Sequence, residues 1–583
     1  MTSPRLTALL HLAALLQLAA LLQLAAALLC VGVARAQLPF SPAAPPPPNF
    51  ERSHLGLPHY GPARQASTAI AGPRSSDCEV QVRDLEDAIG KDVGTSPWHL
   101  VSPARYPGGR AVTIWGASLT DAYRFVVDGE RFEGLDRFGL NHFPSSITWN
   151  LFSRDDGRVI IPDASGFRMR GHGQRSRKPS WLVVSDGDGD PDASRIELLD
   201  IIEFDEREIA ALVDPPPGAR FARLLAAGGS VPTYSGEVAT TVSYLLDDVR
   251  YTYLLIVDVD RGALVTGALI GRGLKSNEIA AEPFGKTGTA MYVPLDESIV
   301  KLVYDGTTRA IERHWTAELP VRRRTGTTPT LMNLSDGRRV VCVVDSECAV
   351  ASVSNGLIAC DEDARPSQLV AVVRDAPAGT QPEVTTAELP RWLRTVENSP
   401  AALGDRIVVA NYSGYLPNGL LVPAGGELPE ANTARWITSP DARPDFATGI
   451  VALCYDPGAG RFVVDWADST RQVNCIPAIS AGANMVYGSG AEEANGDAWL
   501  YGYQLADGPD GTGKGALRMR VRLGEAPFRK TQRDRRGHVV FPRDGYRPTR
   551  GEFFDAGNQV AILPDGSLVV AGGRSLVRIR ERR

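Results

Sequence analysis

The acidic stretch SDGDGDPDASRIE, residues 185–197, has the residue types and spacing of a calcium loop. Calcium takes about six to eight oxygen ligands, which acids at alternate positions of a flexible loop can supply. The candidate ligands are Asp186, Asp188, Asp190, Asp192 and Glu197. Pro191 stands where a glycine would make the sharp turn, and both flanks are predicted strands. The stretch is therefore either a structural calcium site or an acidic turn between two strands.

Local signatures of several common enzymes are missing from the sequence. The stretch GPDGTGKG, residues 508–515, is close to a phosphate-binding loop, but Gly515 replaces the Ser or Thr that would hold magnesium. It also lies between two predicted strands and does not precede a helix. The chain contains no G-x-S-x-G, HExxH or CxxC motif. This argues against a nucleophile-elbow hydrolase and against the simplest zinc and redox sites.

From about residue 110 the chain consists of short runs rich in Val, Ile and aromatic residues, most of them bounded by Gly, Asp, Asn or Pro. AVTIWGA, YLLIVDVD and RFVVDWA are examples. This pattern is typical of strands and tight turns in all-β proteins. Helical periodicity is nearly absent, and only IIEFDEREIAALV, residues 201–213, predicts a short helix.

One hairpin pattern recurs along the chain. Each copy has a polar residue, a short strand of small apolar residues, a tight turn with Asp or Gly, and a β-branched strand. The copies are residues 145–162, 277–294, 327–343, 398–411, 475–488 and 558–572. The gap between the first two copies predicts another unit around residues 239–260. Units repeated at intervals of tens of residues must stack to bury their faces.

The repeat predicts a closed β-propeller, because a ring of four-stranded units leaves only short, protected edges. Seven or eight blades fit residues 110–583, with the final strands GSLVVAGGRSLVRIR completing the ring against strands of the first blade. A two-sheet sandwich is too small for this length of strand pattern. We therefore expect an all-β propeller, preceded by a signal peptide and an irregular N-terminal segment.

The hairpins ENSPAALGDRIVVANYSGY, GTTPTLMNLSDGRRVVCVVD and DGSLVVAGGRSLVRI resemble those of quinoprotein-like (PQQ-like) β-propellers. They resemble more closely those of a group of secreted bacterial propellers with no settled function. The resemblance covers roughly residues 140–583 and implies the propeller fold. The chain departs from the quinone-dependent dehydrogenases, since it has neither an adjacent cysteine pair nor a regularly repeated blade tryptophan motif. This departure argues against PQQ as the cofactor.

Residues entering the first strand of each propeller blade crowd one mouth of the central channel. In the repeats these positions carry Asn141, His142, Asn277, Glu278, Thr328, Glu397, Asn398, Asn474 and Asn558. Converging amides and carboxylates could bind a sugar, an ion or another polar molecule. Glu278 and Glu397, with His142, could act as acid and base if their pKa values differ. The alternative is that these groups bond the backbone of neighbouring blades and carry no chemistry.

Two classes of function follow from this arrangement. The first is an exported propeller that binds a small polar ligand or an extracellular protein at its channel mouth, without catalysis. The second is an extracytoplasmic enzyme, either a hydrolase or lyase using the channel-mouth groups or a divergent quinone-dependent oxidoreductase. Missing catalytic motifs favour the first class.

The N-terminus indicates export. Arg5 precedes a long Leu/Ala run that ends in Ala34-Arg35-Ala36, which predicts a signal peptide over residues 1–36 and a secreted or periplasmic protein. Because the apolar run is long, an uncleaved anchor is the alternative. Residues 37–109, beginning with the proline-rich QLPFSPAAPPPPNF, are expected to be a stiff linker and an irregular segment.

Six cysteines remain after residue 36, which favours disulfides in an exported chain. Cys454 and Cys475 lie in candidate neighbouring strands and are the predicted pair.

The charge balance argues against nucleic acid as a partner. The chain has 62 basic and 68 acidic residues, a net charge of −6. Its basic clusters, such as RKTQRDRRGH at 529–538, lack interleaved aromatic residues and are interpreted as solvated loops. We expect a monomer with no membrane contact beyond the N-terminal run.

Overall fold

The computed structural model describes most of the strand-rich part of the chain. The described residues are 38–50, 61–84, 99–105, 112–117, 121–139, 152–163, 180–185, 196–222, 230–247, 249–273, 278–320, 327–346, 366–393, 399–410, 448–473, 475–492, 497–508, 511–525, 532–533, 539–540, 560–572 and 575–582. The predicted signal peptide lies outside these ranges. No helix within them is long and apolar enough to span a membrane.

Eight antiparallel sheets of four or five strands follow one another along the chain as the blades of a propeller. Within most blades each strand pairs with the next one in sequence, from the inner strand at the hub to the outer strand at the rim. Inner strands of successive blades contact each other around the hub. The predicted all-β propeller is confirmed, and the number of blades is eight.

The strands of the first half, in chain order, are β1 (Ser67–Thr68), β2 (Cys78–Asp84), then β3 (His99–Arg105), β4 (Val112–Ala117), β5 (Asp121–Asp128) and β6 (Arg131–Gly139) in blade 1, β7 (Phe152–Ser153), β8 (Arg158–Asp163), β9 (Ser180–Ser185) and β10 (Glu197–Glu203) in blade 2, β11 (Arg220–Phe221), β12 (Val231–Pro232), β13 (Val238–Leu246), β14 (Val249–Asp258) and β15 (Ala263–Arg272) in blade 3, and β16 (Ala280–Phe284), β17 (Gly288–Pro294), β18 (Ser298–Asp305) and β19 (Ala310–Glu318) in blade 4.

The strands of the second half are β20 (Thr330–Asn333), β21 (Arg339–Asp345), β22 (Gln368–Val373) and β23 (Val384–Glu388) in blade 5, β24 (Ala401–Leu403), β25 (Arg406–Ala410), β26 (Thr448–Asp456) and β27 (Arg461–Gln472) in blade 6, β28 (Ala478–Ser480), β29 (Met485–Glu492), β30 (Asp497–Gln504) and β31 (Leu517–Glu525) in blade 7, a separate pair β32 (Gln532–Arg533) and β33 (Val539–Val540), and β34 (Val560–Ile562), β35 (Leu568–Gly572) and β36 (Ser575–Glu581) in blade 8.

All six repeated hairpins contain the first two strands of a blade, and the unit expected around residues 239–260 lies in blade 3. Burial explains the differences between strands. Every residue of β17 is buried, because both faces of this second strand pack against neighbouring blades. The outer strand β23 alternates between exposed and half-buried residues. The outer strands therefore carry the period-two signal, whereas inner and second strands appear in the sequence as continuous apolar runs.

The ring closes through the N-terminal part of the chain. β2 is the outer strand of blade 8 and pairs antiparallel with β36, from Cys78 opposite Glu581 to Asp84 opposite Ser575. β1 adds to blade 7 by a parallel pairing with β28. Residues 37–109, expected to be linker and irregular chain, thus contain propeller strands, including β3 of blade 1. A strand whose partner lies about 500 residues away has no adjacent turn to mark it in the sequence.

The predicted helix begins later than expected. Residues 197–203 form β10, and helix α1 covers only Glu206–Val213. Asp205 caps it by accepting a hydrogen bond from the Arg207 N–H, while the Glu208 carboxylate accepts one from the Asp205 N–H. This capping box ends the strand and starts the helix.

The two faces of the ring differ in the lengths of their connections. Because neighbouring strands are antiparallel, the connections between first and second strands all lie on one face, named here the turn face. Connections between second and third strands, and those between blades, lie on the opposite loop face. In blade 6 the turn-face connection from β24 to β25 is residues 404–405, whereas the loop-face connection from β25 to β26 is residues 411–447.

Candidate functional site at the hub

Residues 61–72, named here the hub segment, lie along the inner strands of four consecutive blades. Backbone N–H groups of blades 4 to 7 donate to its carbonyl oxygens in the pairs Ala281 to Pro62 (2.8 Å), Leu331 to Ala63 (2.9 Å), Ala402 to Gln65 (2.8 Å), Ile479 to Ala66 (2.9 Å) and Ala481 to Thr68 (2.8 Å). The segment therefore follows the inner wall of the ring across these four blades.

The sequence of the hub segment, GPARQASTAIAG, suits a narrow space, because most of its side chains are small. Its backbone is strained at two non-glycine positions, Arg64 with a φ of 55° and Ala66 with a φ of 50°. A left-handed conformation costs about 1–2 kcal/mol for such residues. The hydrogen bonds to the wall must offset this cost, so the segment is held in place by the ring.

Arg64 is the one charged side chain of the hub segment. Its Nη1 atom lies 3.5 Å from Oε2 of Glu278, its Nε donates to the Ile279 carbonyl at 3.1 Å, and its Nη2 donates to the Ser230 carbonyl at 3.0 Å. Arg64 is 3% exposed and Glu278 is fully buried. Burial lowers the pKa of Arg64, and the Glu278 carboxylate opposes that shift. The ion pair ties the hub segment to blades 3 and 4.

Buried hydroxyl groups join blades 5 and 6 at the same level of the hub. The Thr328 N–H donates to Oγ of Ser399 at 3.1 Å. Oγ1 of Thr330 lies 3.3 Å from the carbonyl oxygens of both Arg64 and Pro400, either of which can accept its proton. These contacts run from blade to blade and from blade to hub segment.

A second N-terminal stretch, residues 38–50, crosses the turn face. The Leu38 N–H donates to the Ala481 carbonyl in blade 7 at 3.1 Å. The Tyr234 hydroxyl in blade 3 donates to the Pro45 carbonyl at 2.5 Å. Residues 45–48 are four prolines, which lack N–H groups and favour an extended conformation. They can therefore span the turn face without leaving backbone donors unpaired.

The chain leaves the hub across blade 7 on its way to β2. The Tyr487 hydroxyl donates to the Pro73 carbonyl at 2.7 Å. A Cβ atom on Gly482 would lie 2.4 Å from the carbonyl oxygen of Ala69. Only a glycine lets the turn of blade 7 approach the hub segment this closely.

A second buried carboxylate, Glu282, joins blades 4 and 5. Its Oε2 accepts from Nη1 of Arg374 at 2.5 Å and from Nη2 of Arg339, and its Oε1 accepts from the Tyr292 hydroxyl at 2.5 Å. Arg374 is fully buried. Burial, followed by the Glu282 charge, raises the pKa of Tyr292 well above its usual value. All of these groups belong to blades, and the hub segment takes no part in the cluster.

The structure describes two of the predicted channel residues, Glu278 and Thr328. Both are buried: Glu278 faces the Arg64 guanidinium of the hub segment, and the Thr328 N–H donates to Ser399 of blade 6. The remaining predicted channel residues lie outside the described ranges: Asn141, His142, Asn277, Glu397, Asn398, Asn474 and Asn558. Sequence reasoning missed Arg64, whose signal was a single charged residue in a run of small ones within the expected linker.

The structure describes only one of the five predicted calcium ligands, Glu197. Glu197 is the first residue of β10 and pairs with Ser185, the last residue of β9. Asp186, Asp188, Asp190 and Asp192 lie between these strands, outside the described ranges. Elsewhere in the described chain, no group of three or more His, Cys, Asp or Glu side chains is arranged to hold a metal ion.

The predicted disulfide between Cys454 and Cys475 is wrong. Cys454 lies in β26 of blade 6, half-buried, with its thiol near the carbonyl oxygen of Tyr455. Cys475 is buried beside blade 7, where its sulfur accepts from the Ser489 N–H at 2.9 Å. The two thiols therefore belong to different blades and have different neighbours.

Taken together, the fold and the hub define the class of the protein as an eight-bladed β-propeller whose channel holds its own N-terminal segment. No protein-family model matches the chain, and no curated protein matches it. Solved structures to which it is similar include Sqt1 of Saccharomyces cerevisiae, with 11% identity, 87% of this chain and 100% of that chain covered, and a TM-score of 0.41.

Two further similar structures are the Dos1 propeller and the WD40 repeats of RRP9. The Dos1 propeller has 10% identity, covers 86% of this chain and 94% of its own, and gives a TM-score of 0.39. The WD40 repeats of RRP9 have 8% identity, cover 72% and 92%, and give a TM-score of 0.34. Similarities this low carry no argument about activity. The assignment of the fold rests on the strand pairing itself.

Proposed function

We propose that the protein is an exported, non-catalytic β-propeller that binds an extracellular protein partner on its loop face, around the channel mouth. The observation that supports this proposal is the hub segment, whose backbone is hydrogen-bonded along the channel wall of blades 4 to 7. Glu278, the described member of the candidate acid–base set, is buried against Arg64. A substrate could reach this carboxylate only after the hub segment had left the wall.

We choose the loop face because the turn face is already crossed by another part of the chain. Residues 38–50 cross the turn face, and the turns there are short. On the loop face, β25 ends at Ala410 and β26 begins at Thr448, so 37 residues connect these two strands. Binding residues of scaffold proteins are commonly carried by loops that a rigid framework positions. A protein partner fits this surface better than a small polar ligand, because the wall of the channel already has its own chain against it.

The enzymatic alternatives have less support. A hydrolase or lyase would need Glu278 to exchange protons with a bound substrate, yet its carboxylate already faces a guanidinium. A quinone-dependent oxidoreductase would need space in the channel for PQQ. Membership of the quinoprotein-like superfamily, secretion and the structural calcium stay predictions from the sequence.

The proposal is tested by shortening one loop-face connection. Ala410 and Ile450 are paired residues of β25 and β26, so a short glycine–serine linker can replace residues 411–447 without separating the strands. The matched control replaces residues 457–460, the turn-face connection from β26 to β27 in the same blade, with the same linker. Both variants should melt close to the wild type.

Partners are captured by crosslinking to the purified protein in culture medium of its host. We expect a specific partner with the wild type and the control, and its loss with the loop-face variant. Loss with the control alone would contradict the choice of face.

A separate titration addresses the cofactor. With calcium present throughout, addition of PQQ should leave the melting temperature unchanged, whereas a rise by mass action would favour the oxidoreductase.

A further inference from the structure

The outer strand of blade 8, β2, has the longest regular pairing of the eight outer strands. Six of them contain at least one extra residue that has no opposite residue in the neighbouring strand: β6, β10, β15, β19, β27 and β31. Such β-bulges bend the outer edge of a sheet and hinder its pairing with another chain. β2 instead pairs residue for residue with β36 over seven residues, and β23 does so with β22 over five. β2 therefore presents the longest uninterrupted outer edge of these blades.

Alternate backbone groups of β2 point away from its own sheet. The Arg582 N–H donates to the Asp77 carbonyl at 3.0 Å, so the backbone of Asp77 faces β36. Because these directions alternate in an antiparallel ladder, Gln81 also faces β36, whereas the N–H and C=O groups of Val80 and Val82 face outward. Among the described residues, none accepts a hydrogen bond from either of these two N–H groups. An edge of this kind can pair with a further strand.

Two valines add apolar side chains to this edge. Val80 is 38% exposed and Val82 is 47% exposed, and both lie on the same face of the strand because they are two residues apart. Glu79, Gln81 and Arg83 lie on the opposite face. A strand added beside β2 would therefore contact an apolar pair on one face and oppositely charged side chains on the other.

The sequence of β2, CEVQVRD, is complementary to itself when two copies run antiparallel about Gln81. In this register Val80 lies opposite the partner's Val82, and both have outward backbone groups, so the two residues can exchange hydrogen bonds. Glu79 lies opposite the partner's Arg83 in a non-hydrogen-bonded pair, where side chains approach most closely. The two-fold axis repeats each of these contacts.

Both charged side chains can accept this additional contact. Arg83 donates from its Nε to the Phe132 carbonyl at 2.6 Å, and its Nη groups bond none of the described residues. Glu79 accepts from Gln81 at 3.1 Å and from Arg580 at 2.8 Å. A carboxylate has about four acceptor positions, so two remain for the partner's guanidinium.

We propose that β2 pairs with β2 of a second copy of this chain, which joins the two four-stranded sheets of blade 8 into one continuous sheet across a two-fold axis. The contact uses the same edge on both copies, so it closes as a dimer and does not extend into a filament. The other regular outer strand, β23, is not self-complementary, because pairing about Thr386 would place Val384 opposite the partner's Glu388.

The proposed dimer is weak, because one pair of strand edges buries much less area than a standard protein interface. It replaces the monomer expected from the sequence. It is independent of the partner proposed for the loop face, since β2 lies at the rim of the ring.

The first test follows self-association of the purified full chain by sedimentation velocity between about 1 µM and about 100 µM, the range expected for so small an interface. The sedimentation coefficient of the wild type should rise from that of a monomer to that of a dimer. Val82→Pro removes an N–H that the ring does not use, so the propeller should still fold. The change removes two hydrogen bonds per dimer and should weaken association about tenfold or more.

The matched control is Thr386→Pro in β23, an exposed position. The Val373 N–H donates to the Glu383 carbonyl at 2.9 Å, so the Thr386 N–H faces outward by the same alternation. This variant loses the same backbone donor on another blade and should associate as the wild type does.

A charge exchange tests the register itself. Glu79→Arg places two arginines opposite each other at both ends of the contact, and Arg83→Glu places two glutamates there, so each variant alone should associate more weakly than the wild type. In an equimolar mixture of the two variants every position is again opposite a residue of the other charge, and association should return. A loss caused only by damage to the fold would not be reversed by mixing.

Three results would overturn the proposal. The first is a wild type that stays monomeric over the whole concentration range. The second is a folded Val82→Pro variant that associates as tightly as the wild type. The third is a mixture of the two charge variants that associates no better than either variant alone, and this result decides the question if Val82→Pro does not fold.

Discussion

Glu278, two residues before the inner strand β16, and Glu282, in the middle of that strand, are two buried carboxylates that serve different connections. Glu282 faces Arg374 and Arg339 of blade 5 and a tyrosine of its own blade, so its partners arrive with the folding of neighbouring blades. Glu278 faces Arg64, which comes from a segment more than 200 residues earlier in the chain. The comparison shows that Glu282 joins two blades, whereas Glu278 holds the hub segment against the ring.

The largest effect is expected for Glu282→Gln. The change removes the carboxylate that both Arg374 and Arg339 contact, and Arg374 is fully buried, so breaking this pair should cost about 3–5 kcal/mol. Urea unfolding followed by circular dichroism should show this loss of unfolding free energy. The control is Glu312→Gln, at an exposed position of β19, which should leave the unfolding free energy unchanged. A loss below that of Glu278→Gln would reverse the ranking of the two sites.

A smaller loss, about 2–3 kcal/mol, is expected for Glu278→Gln, because the Arg64–Glu278 ion pair is longer, at 3.5 Å, than the Arg374–Glu282 pair, at 2.5 Å. The same urea experiment gives the value, with exposed Glu297→Gln as the control. If Glu278 were instead a catalytic acid without a structural role, its replacement would leave the unfolding free energy nearly unchanged.

Gly482→Ala disturbs the hub segment without touching either glutamate. The added methyl group meets backbone atoms of the segment, and such overpacking costs about 1–3 kcal/mol. Protection of the amides of blades 4 to 7 that bond the segment should fall in hydrogen exchange. Gly513→Ala, where a Cβ would meet no atom within 4 Å, is the control. Unchanged protection would mean that the segment does not need this close approach.

The smallest expected effect is the coupling free energy between Arg64 and Glu278. A double-mutant cycle with Arg64→Gln and Glu278→Gln should give about 1 kcal/mol, since the charges are 3.5 Å apart and each has other partners. The corresponding cycle for Arg374 and Glu282 should give a larger value. Equal coupling energies would remove the distinction between the two sites.

Much of the fold was predictable because most blades are formed by strands that follow one another in the sequence. Each repeated hairpin brings residues such as Ala401 and Val408 together through a turn of two residues, and turns leave clear signals in Gly and Asp. The last strands were expected to pair with strands of the first blade, but they form blade 8 with β34 and β2. Their partner β2 was not recognised, because it lies alone in a stretch of prolines and polar residues, without a hairpin to identify it.

The candidate site was predictable only in part. The polar residues before the inner strands gave Glu278 and Thr328 their place at the hub. Their partners could not be read from the chain, since Arg64 and Ser399 come from distant segments and no local spacing links them. The pairing of Cys454 with Cys475 failed for a related reason, because closeness in sequence did not bring the two thiols to the same blade.

Local order along the chain by itself determined the all-β class, the repeated hairpins and the ring, because hydrophobic alternation and turn residues act between neighbours. Which side chains meet in the centre was decided only by closing the ring. Closure brings inner strands from eight blades and an N-terminal segment into one buried space, where each polar group must take whatever partner the geometry supplies.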